Sequence, residues 1–471
     1  MRLAKKSILY FISDVGVSVV GFLATLYFAR ILGDSVLGQY FTVVALLGWA
    51  TIPTNGLGAA INKRISEGRD ERRTVSAGLA LGAVYGGVVV VVTVLGGRYV
   101  NRYVGTDISL YFAVLVVSSV LFTESVTALK GKKLVARAGF LRTFDRILRT
   151  GSQIAVVYIG YELLGLVVAQ TASFLIAAAV GAAVGGLRLG KPRFEDFRSL
   201  YSYARYSWLG NMKGKTFGWM DILVLNLFVS SGVVGVYGVS WRLASVLVLV
   251  SNAVQTTLFP EVSEISVEGD KEEVLNLLSQ GLLFAGIFVI PGFFGAAVLG
   301  QDLLRVFGAE FTEGAYVLLI LIVARAVDVY GSQLLSVINA VNRPDIAFRI
   351  NAVFIVSNIS LNFALVYLFG WYGAAAATAL SSAVILLLSY RSVVEVVGKP
   401  EIPATGIAKQ VVCGAAMSVA VLGFEAVLPV KNMYITVTTV FLGAGVYAVL
   451  LYAVSGEVRQ KARSLVPVLE E

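Results

Sequence analysis

The chain has 471 residues, of which 57% are hydrophobic and only 14% are charged, and its mean hydropathy is +0.82. Soluble domains are about 45–50% apolar and about 25% charged, so the composition excludes a soluble fold and predicts an all-α integral membrane protein. The chain has no histidine and one cysteine, Cys413. These counts exclude His-ligated metals, histidine acid–base chemistry and an intramolecular disulfide.

Apolar stretches of about 20 residues, the length that a spanning helix needs, recur along the whole chain. The first follows the basic N-terminus and continues to about Ile31, which is too long for a signal-peptide core. The fifth stretch is the least apolar, because Arg142, Asp145, Arg146 and Arg149 lie inside it. We predict fourteen spans, at roughly 8–29, 37–60, 76–97, 107–129, 138–160, 163–186, 207–229, 233–259, 275–299, 314–341, 350–369, 372–390, 407–428 and 433–455.

The distribution of lysine and arginine tests this number of spans, because cytoplasmic loops are enriched in both. With both termini in the cytoplasm, the predicted cytoplasmic segments hold 25 of the 38 basic residues and the outer loops hold 5. The net charge of +9 is therefore a topology signal, and no nucleic-acid partner is needed to explain it. The loops leave no room for a soluble catalytic or nucleotide-binding module, and we expect neither enzymatic activity nor a cofactor.

Short strings repeat at an offset of about 200 residues. Residues 31–40 and 65–70 resemble residues 230–237 and 265–270, and residues 156–165 resemble residues 365–373. Six spans separate the equivalent strings, so the repeats run in the same direction and predict a pseudo-two-fold axis along the membrane normal. The predicted domains are an N-terminal lobe (1–190, helices 1–6), an interfacial amphipathic linker (191–206), a C-terminal lobe (207–392, helices 7–12), and helices 13–14 with a short cytoplasmic tail (393–471).

The linker places Phe194, Phe197, Leu200, Tyr201 and Ala204 on one helical face. An apolar face of this kind is typical of a helix that lies in the membrane interface.

Two segments carry a resemblance to a known family. One is Ala29-Arg30-Ile31-Leu32-Gly33 followed by Gly38-Gln39-Tyr40, and the other is Asn358 and Asn362 followed by the apolar turn at residues 367–378. Together with the 6 + 6 + 2 plan, these segments resemble the polysaccharide-transport branch of the multidrug/oligosaccharidyl-lipid/polysaccharide exporter superfamily.

The resemblance implies a flippase of the cytoplasmic membrane that moves a polyprenyl-(pyro)phosphate-linked oligosaccharide to the outer leaflet by alternating access. It also implies coupling to a cation, H⁺ or Na⁺, and contact with membrane lipid. In the lipid-handling branches, helices 13 and 14 help to form a groove for the lipid tail.

Six basic residues inside the predicted spans are candidates for binding the substrate phosphates. Arg142, Arg146 and Arg149 share one face of the fifth span, and guanidinium groups bind phosphate oxygens bidentately. Lys213 and Lys215 in the seventh span and Arg242 in the eighth would serve the second lobe. The alternative is that Arg142, Arg146 and the two lysines reach the membrane surface, with Asp145 as a local partner of these two arginines. For Arg242 the alternative is an ion pair with Asp221.

Four acidic residues inside the spans are candidates for ion coupling: Asp14, Glu124, Asp221 and Asp328. Asp14 matches in position a first-helix carboxylate of the drug-exporting branch, but it could equally be a hydrated residue at a helix end. Arg325 lies three residues before Asp328 and would pair with it. Glu124 has no evident partner on its own helix, and an unpaired buried carboxylate can carry a proton.

Three other functions remain open. A drug or small-cation exporter of the same superfamily would need a hydrophobic cavity without basic residues. A membrane glycosyltransferase or polymerase would need acidic residues on large outer loops, which the chain lacks. A non-transporting scaffold of the polysaccharide synthesis machinery is disfavoured by the charges within the spans.

Overall fold

The computed structural model describes residues 2–186, 188–207, 212–427 and 432–461, and for residues 2–19 and Tyr206 it describes the backbone alone. These ranges are helical, without strands. The helices are α1 Arg2–Ala50, α2 Ile52–Ser66, α3 Glu71–Leu95, α4 Gly97–Val104, α5 Ser109–Gly131, α6 Val135–Tyr158, α7 Leu163–Gly185, α8 Phe194–Ser207, α9 Met212–Phe228, α10 Ser231–Val246, α11 Leu249–Glu268, α12 Lys271–Ala285, α13 Val289–Arg305, α14 Ala315–Ala340, α15 Pro344–Val396, α16 Ala404–Val427 and α17 Met433–Val454, with a 3₁₀ turn at Ala309–Gly314.

Nine segments of the described chain are helical, long and apolar enough to cross a membrane. The pair α10–α11, which is bent by 48°, brings the number to ten if it counts as one span. Helices α6 and α9, which correspond to the predicted fifth and seventh spans, are outside this set. Helix α6 carries four charged residues in its middle, and α9 has only 17 residues.

Two of the longest helices are pairs of helices joined without a loop. Helix α1 changes direction at Gly33, where φ is +74°, and α15 changes direction at Gly370, where φ is +58°. Glycine adopts a positive φ without steric cost, so it can turn the chain within one residue. The predicted first and second spans therefore run into each other at Gly33, and the eleventh and twelfth at Gly370.

One pair of the repeated strings, 65–70 and 265–270, adopts the same local geometry in both copies. Gly68 and Gly269 have φ of +84° and +82°, and each precedes a helix that an aspartate caps. Asp70 accepts a hydrogen bond from the backbone N–H of Arg73, and Asp270 accepts one from Glu273. The sequence similarity between the two segments thus reflects a shared helix–turn–helix geometry.

Contacts divide the chain into two compact units, Met1–Gly235 and Val236–Glu471. This boundary differs from the predicted limit of the lobes, because α8 and α9 pack with the first unit. Within that unit, α1 crosses α10 so closely that a side chain at Gly38 would begin 1.8 Å from the carbonyl oxygen of Ser231. A side chain at Gly235 would likewise begin 2.1 Å from the carbonyl oxygen of Asp34.

The linker helix α8 packs on the first unit. Leu200 is buried in a cluster with Leu57, Ile61 and Val75, and Arg73 forms a 3.0 Å ion pair with Asp196. The face that was predicted to be apolar and interfacial is therefore divided. Leu200 is buried and Phe197 and Ala204 are partly buried against α2 and α3, whereas Phe194 and Tyr201 are exposed.

Candidate functional site

The charged residues of α6 form a cluster against α7. Asp145 is only 4% exposed. The Ser173 hydroxyl lies 2.8 Å from its Oδ1 and donates a hydrogen bond to it, and Arg149 Nη2 lies 3.6 Å from its Oδ2. The Arg149 guanidinium also lies 5.9 Å from the centre of the Phe174 ring. Arg149 is therefore a partner of a buried carboxylate, while Arg142 and Arg146 on the same side of α6 are exposed.

The lysines of α9 also lie next to α1. Helices α6 and α9 both pack against α1, and Lys213 and Lys215 are half-buried. Lys215 Nζ lies 3.8 Å from the point where a side chain at Gly48 would begin, next to the Trp219 ring. Both lysines lie within the first unit. The first unit thus holds five of the six predicted phosphate-binding residues.

Two of the predicted coupling carboxylates lie close to α1 or on it. Asp221 of α9 is buried, with 4% of its surface exposed. Helix α9 is fixed to α1 by a 3.1 Å hydrogen bond between the Thr42 hydroxyl and Asn226 Oδ1. The side chain of Asp14 lies outside the described residues.

The second unit contains the pair that the sequence spacing predicted. Arg325 Nη1 lies 4.0 Å from Asp328 Oδ2, and the Ser332 hydroxyl donates to Asp328 Oδ1 at 3.3 Å. The Arg325 guanidinium also stacks over the Trp241 ring at 4.0 Å and donates to the Ser245 hydroxyl. These contacts place Asp328 in an ion pair. Arg242, one residue after Trp241, is half-buried on α10.

Glu124 of α5 has different surroundings. It is 4% exposed, and neither carboxylate oxygen has a hydrogen-bond partner among the residues that the structure describes. Its Oε1 lies over Gly82 of α3, where a side chain would begin only 2.1 Å away. The surroundings of Glu124 are therefore unlike those of Asp328, which is in an ion pair.

A buried polar network was missed by the sequence analysis. The Tyr40 hydroxyl donates to Gln170 Oε1 at 3.1 Å, and Gln153 Nε2 donates to the Tyr40 oxygen at 2.8 Å and to the Leu166 carbonyl at 3.1 Å. The network joins α1, α6 and α7 at the position of the family string that ends in Tyr40. Glutamine inside an apolar span was the available signal, because polar side chains there hydrogen-bond across helices.

A second polar contact joins the two halves of α15. Asn358 Nδ2 donates to the Ser381 hydroxyl at 3.0 Å, and Asn362 Nδ2 donates to the Asn358 carbonyl at 3.0 Å. All three side chains are fully buried. The two asparagines of the family string therefore fix the packing on either side of Gly370. Across the described ranges, no group of three or more His, Cys, Asp or Glu residues is arranged to hold a metal ion.

Comparisons with known proteins agree with the resemblance seen in the sequence. Residues 3–266 match the family described as polysaccharide biosynthesis protein, and residues 220–444 match the family of the lipid II flippase MurJ. The probable flippase AglR of Haloferax volcanii is 30% identical over 98% of both chains. The probable low-salt glycan biosynthesis flippase Agl15 of the same organism is 33% identical over 82% of both chains.

Solved structures share the fold at low sequence identity. The lipid II flippase MurJ in an inward closed conformation has a TM-score of 0.81 at 14% identity, over 95% of this chain and 98% of that one. An inward-facing multidrug resistance MATE family transporter has a TM-score of 0.66 at 12% identity, over 80% and 93%. The resemblance is confirmed, and the chain is a multi-pass membrane protein. It belongs to the polysaccharide biosynthesis protein family, in the flippase branch of the multidrug/oligosaccharidyl-lipid/polysaccharide exporter superfamily.

Proposed function

We propose that the chain flips a polyprenyl-(pyro)phosphate-linked oligosaccharide from the cytoplasmic to the outer leaflet of the cytoplasmic membrane by alternating access. The observation that carries the proposal is the similarity to a flippase over 98% of both chains. The proposed layout has fourteen spans with both termini in the cytoplasm, arranged as two six-helix lobes and a final pair. In this layout, the segments rich in Lys and Arg, among them residues 130–137 at the start of α6 and residues 188–205 with α8, face the cytoplasm.

The basic residues on the two helices that pack against α1 support a phosphate-bearing substrate. Charges within the bilayer are costly and mark pathways or pairs, and α6 and α9 present five cations on helices that both pack against α1. We propose that Arg142 and Arg146 contact the phosphate directly, with Lys213 and Lys215 as further contacts. Arg149 holds Asp145 and would contribute when the substrate competes for it. Arg242 is the proposed contact from the second unit.

Ion coupling is the second part of the proposal. Import of H⁺ or Na⁺ would drive the cycle, and its binding residues are sought among Asp14, Glu124, Asp221 and Asp328. The pairing of Asp328 with Arg325 at 4.0 Å makes it the weakest of these candidates.

A drug or small-cation exporter is the alternative function, and the fold likeness to the MATE transporter supports it. Such a protein has no use for exposed arginines within a span. A scaffold for the synthesis machinery is a further alternative, and it would leave the same arginines without a role. A catalytic role is not proposed.

The test measures lipid-linked oligosaccharide on the cytoplasmic leaflet of cells depleted of the protein. Depletion should cause accumulation, which the wild-type chain reverses and the Arg142→Ala/Arg146→Ala variant does not. Arg391→Ala, which removes an exposed arginine at the end of α15, serves as the matched control and should reverse it. Unchanged levels on depletion, together with altered sensitivity to toxic cations, would instead identify an exporter. Accumulation that the double variant fully reverses would keep the function and reject the proposed phosphate contacts.

A further inference from the structure

Helix α3 carries a stripe of three glycines that face its neighbours. A side chain at Gly78 would begin 2.5 Å from Ile61 of α2. At Gly82 it would begin 2.1 Å from Glu124 of α5, and at Gly86 it would begin 3.2 Å from Val117 of α5. Glycine at a four-residue spacing lets membrane helices approach closely. The carboxyl group of Glu124 therefore lies directly against the backbone of α3 at Gly82, the middle glycine of the stripe.

The site lies inside the membrane-spanning part of α5. Glu124 is seven residues before the end of the helix at Gly131, which at 1.5 Å per residue corresponds to roughly 10 Å. Gly82 lies near the middle of α3, in a helix of 25 residues. The carboxyl group therefore lies about two helical turns from the end of α5, and only 4% of Glu124 is exposed.

The charged groups on the helices packed against α5 are engaged elsewhere or distant. On α3, Glu71 pairs with Lys132 at 2.9 Å and Arg73 pairs with Asp196. On α2, Lys63 and Arg64 both pair with Glu67. On α6, Asp145 pairs with Arg149, and α7 contains no Asp, Glu, Lys or Arg.

The remaining titratable groups with described side chains on the helices near this packing are on α1, α3, α4, α5 and α6. They are Tyr27, Arg30, Asp34, Tyr40, Arg72, Tyr85, Arg98, Arg102, Tyr103, Tyr111 and Lys130, and α6 adds Arg137, Arg142, Arg146 and Tyr158. The Tyr85 hydroxyl donates to the Ala50 carbonyl. Within the described ranges, neither carboxylate oxygen of Glu124 is hydrogen-bonded to any of these groups.

An ionised carboxylate in such a place is very unfavourable. Burying a charge without a partner costs many kcal/mol, and the group becomes neutral instead. A hard metal cation would neutralise the carboxylate, but it needs several oxygen ligands around it. A proton neutralises the carboxylate without any further ligand. The glycine surface of α3 leaves space for a neutral carboxyl group in contact and little space for a hydrated cation.

We propose that Glu124 is the residue that binds the coupling cation, and that this cation is a proton. The inference rests on the proposed transport function and assigns the ion that it leaves open. The proton on Glu124 lets α3 and α5 close over it along the glycine stripe. Loss of that proton leaves a charge that must be hydrated, which requires the two helices to separate. Protonation is thereby coupled to the packing of α3 on α5.

Transport in proteoliposomes tests the coupling. The probe is a fluorescent polyprenyl-pyrophosphate-linked disaccharide, whose flipping is followed by chemical quenching of the outer leaflet. Wild-type flipping should rise several-fold with an imposed pH gradient and should not respond to a Na⁺ gradient at equal pH. Glu124→Gln should lose the response to the pH gradient, and Glu313→Gln, at an exposed site, should keep it. A wild-type response to Na⁺ alone, or a full pH response in Glu124→Gln, would overturn the proposal.

Infrared spectroscopy tests the site without a substrate. The pH-difference spectrum of the purified protein should contain a carbonyl stretch of a buried protonated carboxyl group that Glu124→Gln removes. If Glu124→Gln fails to fold, Glu124→Asp should shift the same band. Absence of any difference between the wild type and these variants would reject the proton site. A band that is present while no probe is flipped would reject the proposed function and retain the proton site.

Discussion

Glu124 on α5 and Asp145 on α6 are both 4% exposed, yet their surroundings differ. Asp145 has a serine hydroxyl at 2.8 Å and a guanidinium at 3.6 Å. Glu124 has neither a donor nor a cation among the described residues, and it lies on a glycine of the neighbouring helix. The same chemical group is thus buried in two ways within one unit.

The comparison separates a structural carboxylate from a functional one. A buried charge with a fixed partner contributes a stable contact, and removing the partner is strongly destabilising. A buried carboxyl group without a partner can remain buried only while it is neutral. Asp328 of the second unit resembles Asp145, because it also has a guanidinium (Arg325) and a hydroxyl (Ser332) as partners. Four substitutions test this distinction.

Arg149→Ala should have the largest effect on stability. It leaves Asp145 buried without its cation, and we expect a loss of about 3 kcal/mol in the free energy of unfolding. Denaturant unfolding in detergent micelles measures it. Arg142→Ala, at an exposed position on the same helix, should change stability by less than about 0.5 kcal/mol. Asp145→Asn combined with Arg149→Ala should recover much of the loss. Equal effects of the two arginine substitutions would show that the Arg149–Asp145 pair at 3.6 Å does not stabilise the fold.

Gly82→Ala should destabilise the protein by about 2 kcal/mol, because the new methyl group collides with the Glu124 carboxyl group. Gly87→Ala is the matched control on the same helix, since a side chain there meets nothing within 4 Å. The control should be neutral or stabilising by up to about 1 kcal/mol. Adding Glu124→Ala should restore the stability of Gly82→Ala. If it does not, the collision is with another group and the described contact is not the cause.

Ser173→Ala should cost about 1.5 kcal/mol, because it removes a hydrogen bond to a charged and buried group. Ser202→Ala, at an exposed site on α8, is the control and should have no measurable effect. Unfolding of both variants under the conditions used for Arg149→Ala gives the comparison. An effect of Ser173→Ala that persists unchanged in the Asp145→Asn background would mean that the serine does not act through Asp145.

The sequence predicted contacts within one helix better than contacts between helices. The predicted pair Arg325–Asp328 is present, because helical geometry brings residues three apart together whatever the surroundings. Asp145 pairs with Arg149, four residues away, whereas the predicted partners were Arg142 and Arg146. The contacts Ser173–Asp145, Gly82–Glu124 and Tyr40–Gln153 depend on how separate helices pack. A single sequence carries no direct record of those distances, so the lack of a partner for Glu124 on other helices could only be found in the structure.

The positions of the helices could be predicted from the length of the apolar stretches. The ends of the helices and the places where they bend could not. Spans at 107–129 and 163–186 agree with α5 and α7 within a few residues. The direct joints at Gly33 and Gly370 were missed, because a single glycine with positive φ replaces the expected loop. The assignment of α9 to the second lobe followed from counting spans and stays a prediction, while the packing of α9 against α1 was visible only in the structure.

Glu124→Gln should have the smallest effect on stability, within about 1 kcal/mol of the wild type. The amide has nearly the shape of the neutral carboxyl group, so a protonated Glu124 is replaced without a change in charge. An ionised Glu124 would carry a large desolvation penalty that glutamine removes, and the variant would then be several kcal/mol more stable. Asp145→Asn is the matched substitution at the paired site and should be clearly destabilising, because Arg149 loses its counter-charge. A clear stabilisation by Glu124→Gln would therefore show that the carboxylate is charged in the folded protein, and the distinction between the two carboxylates would fail.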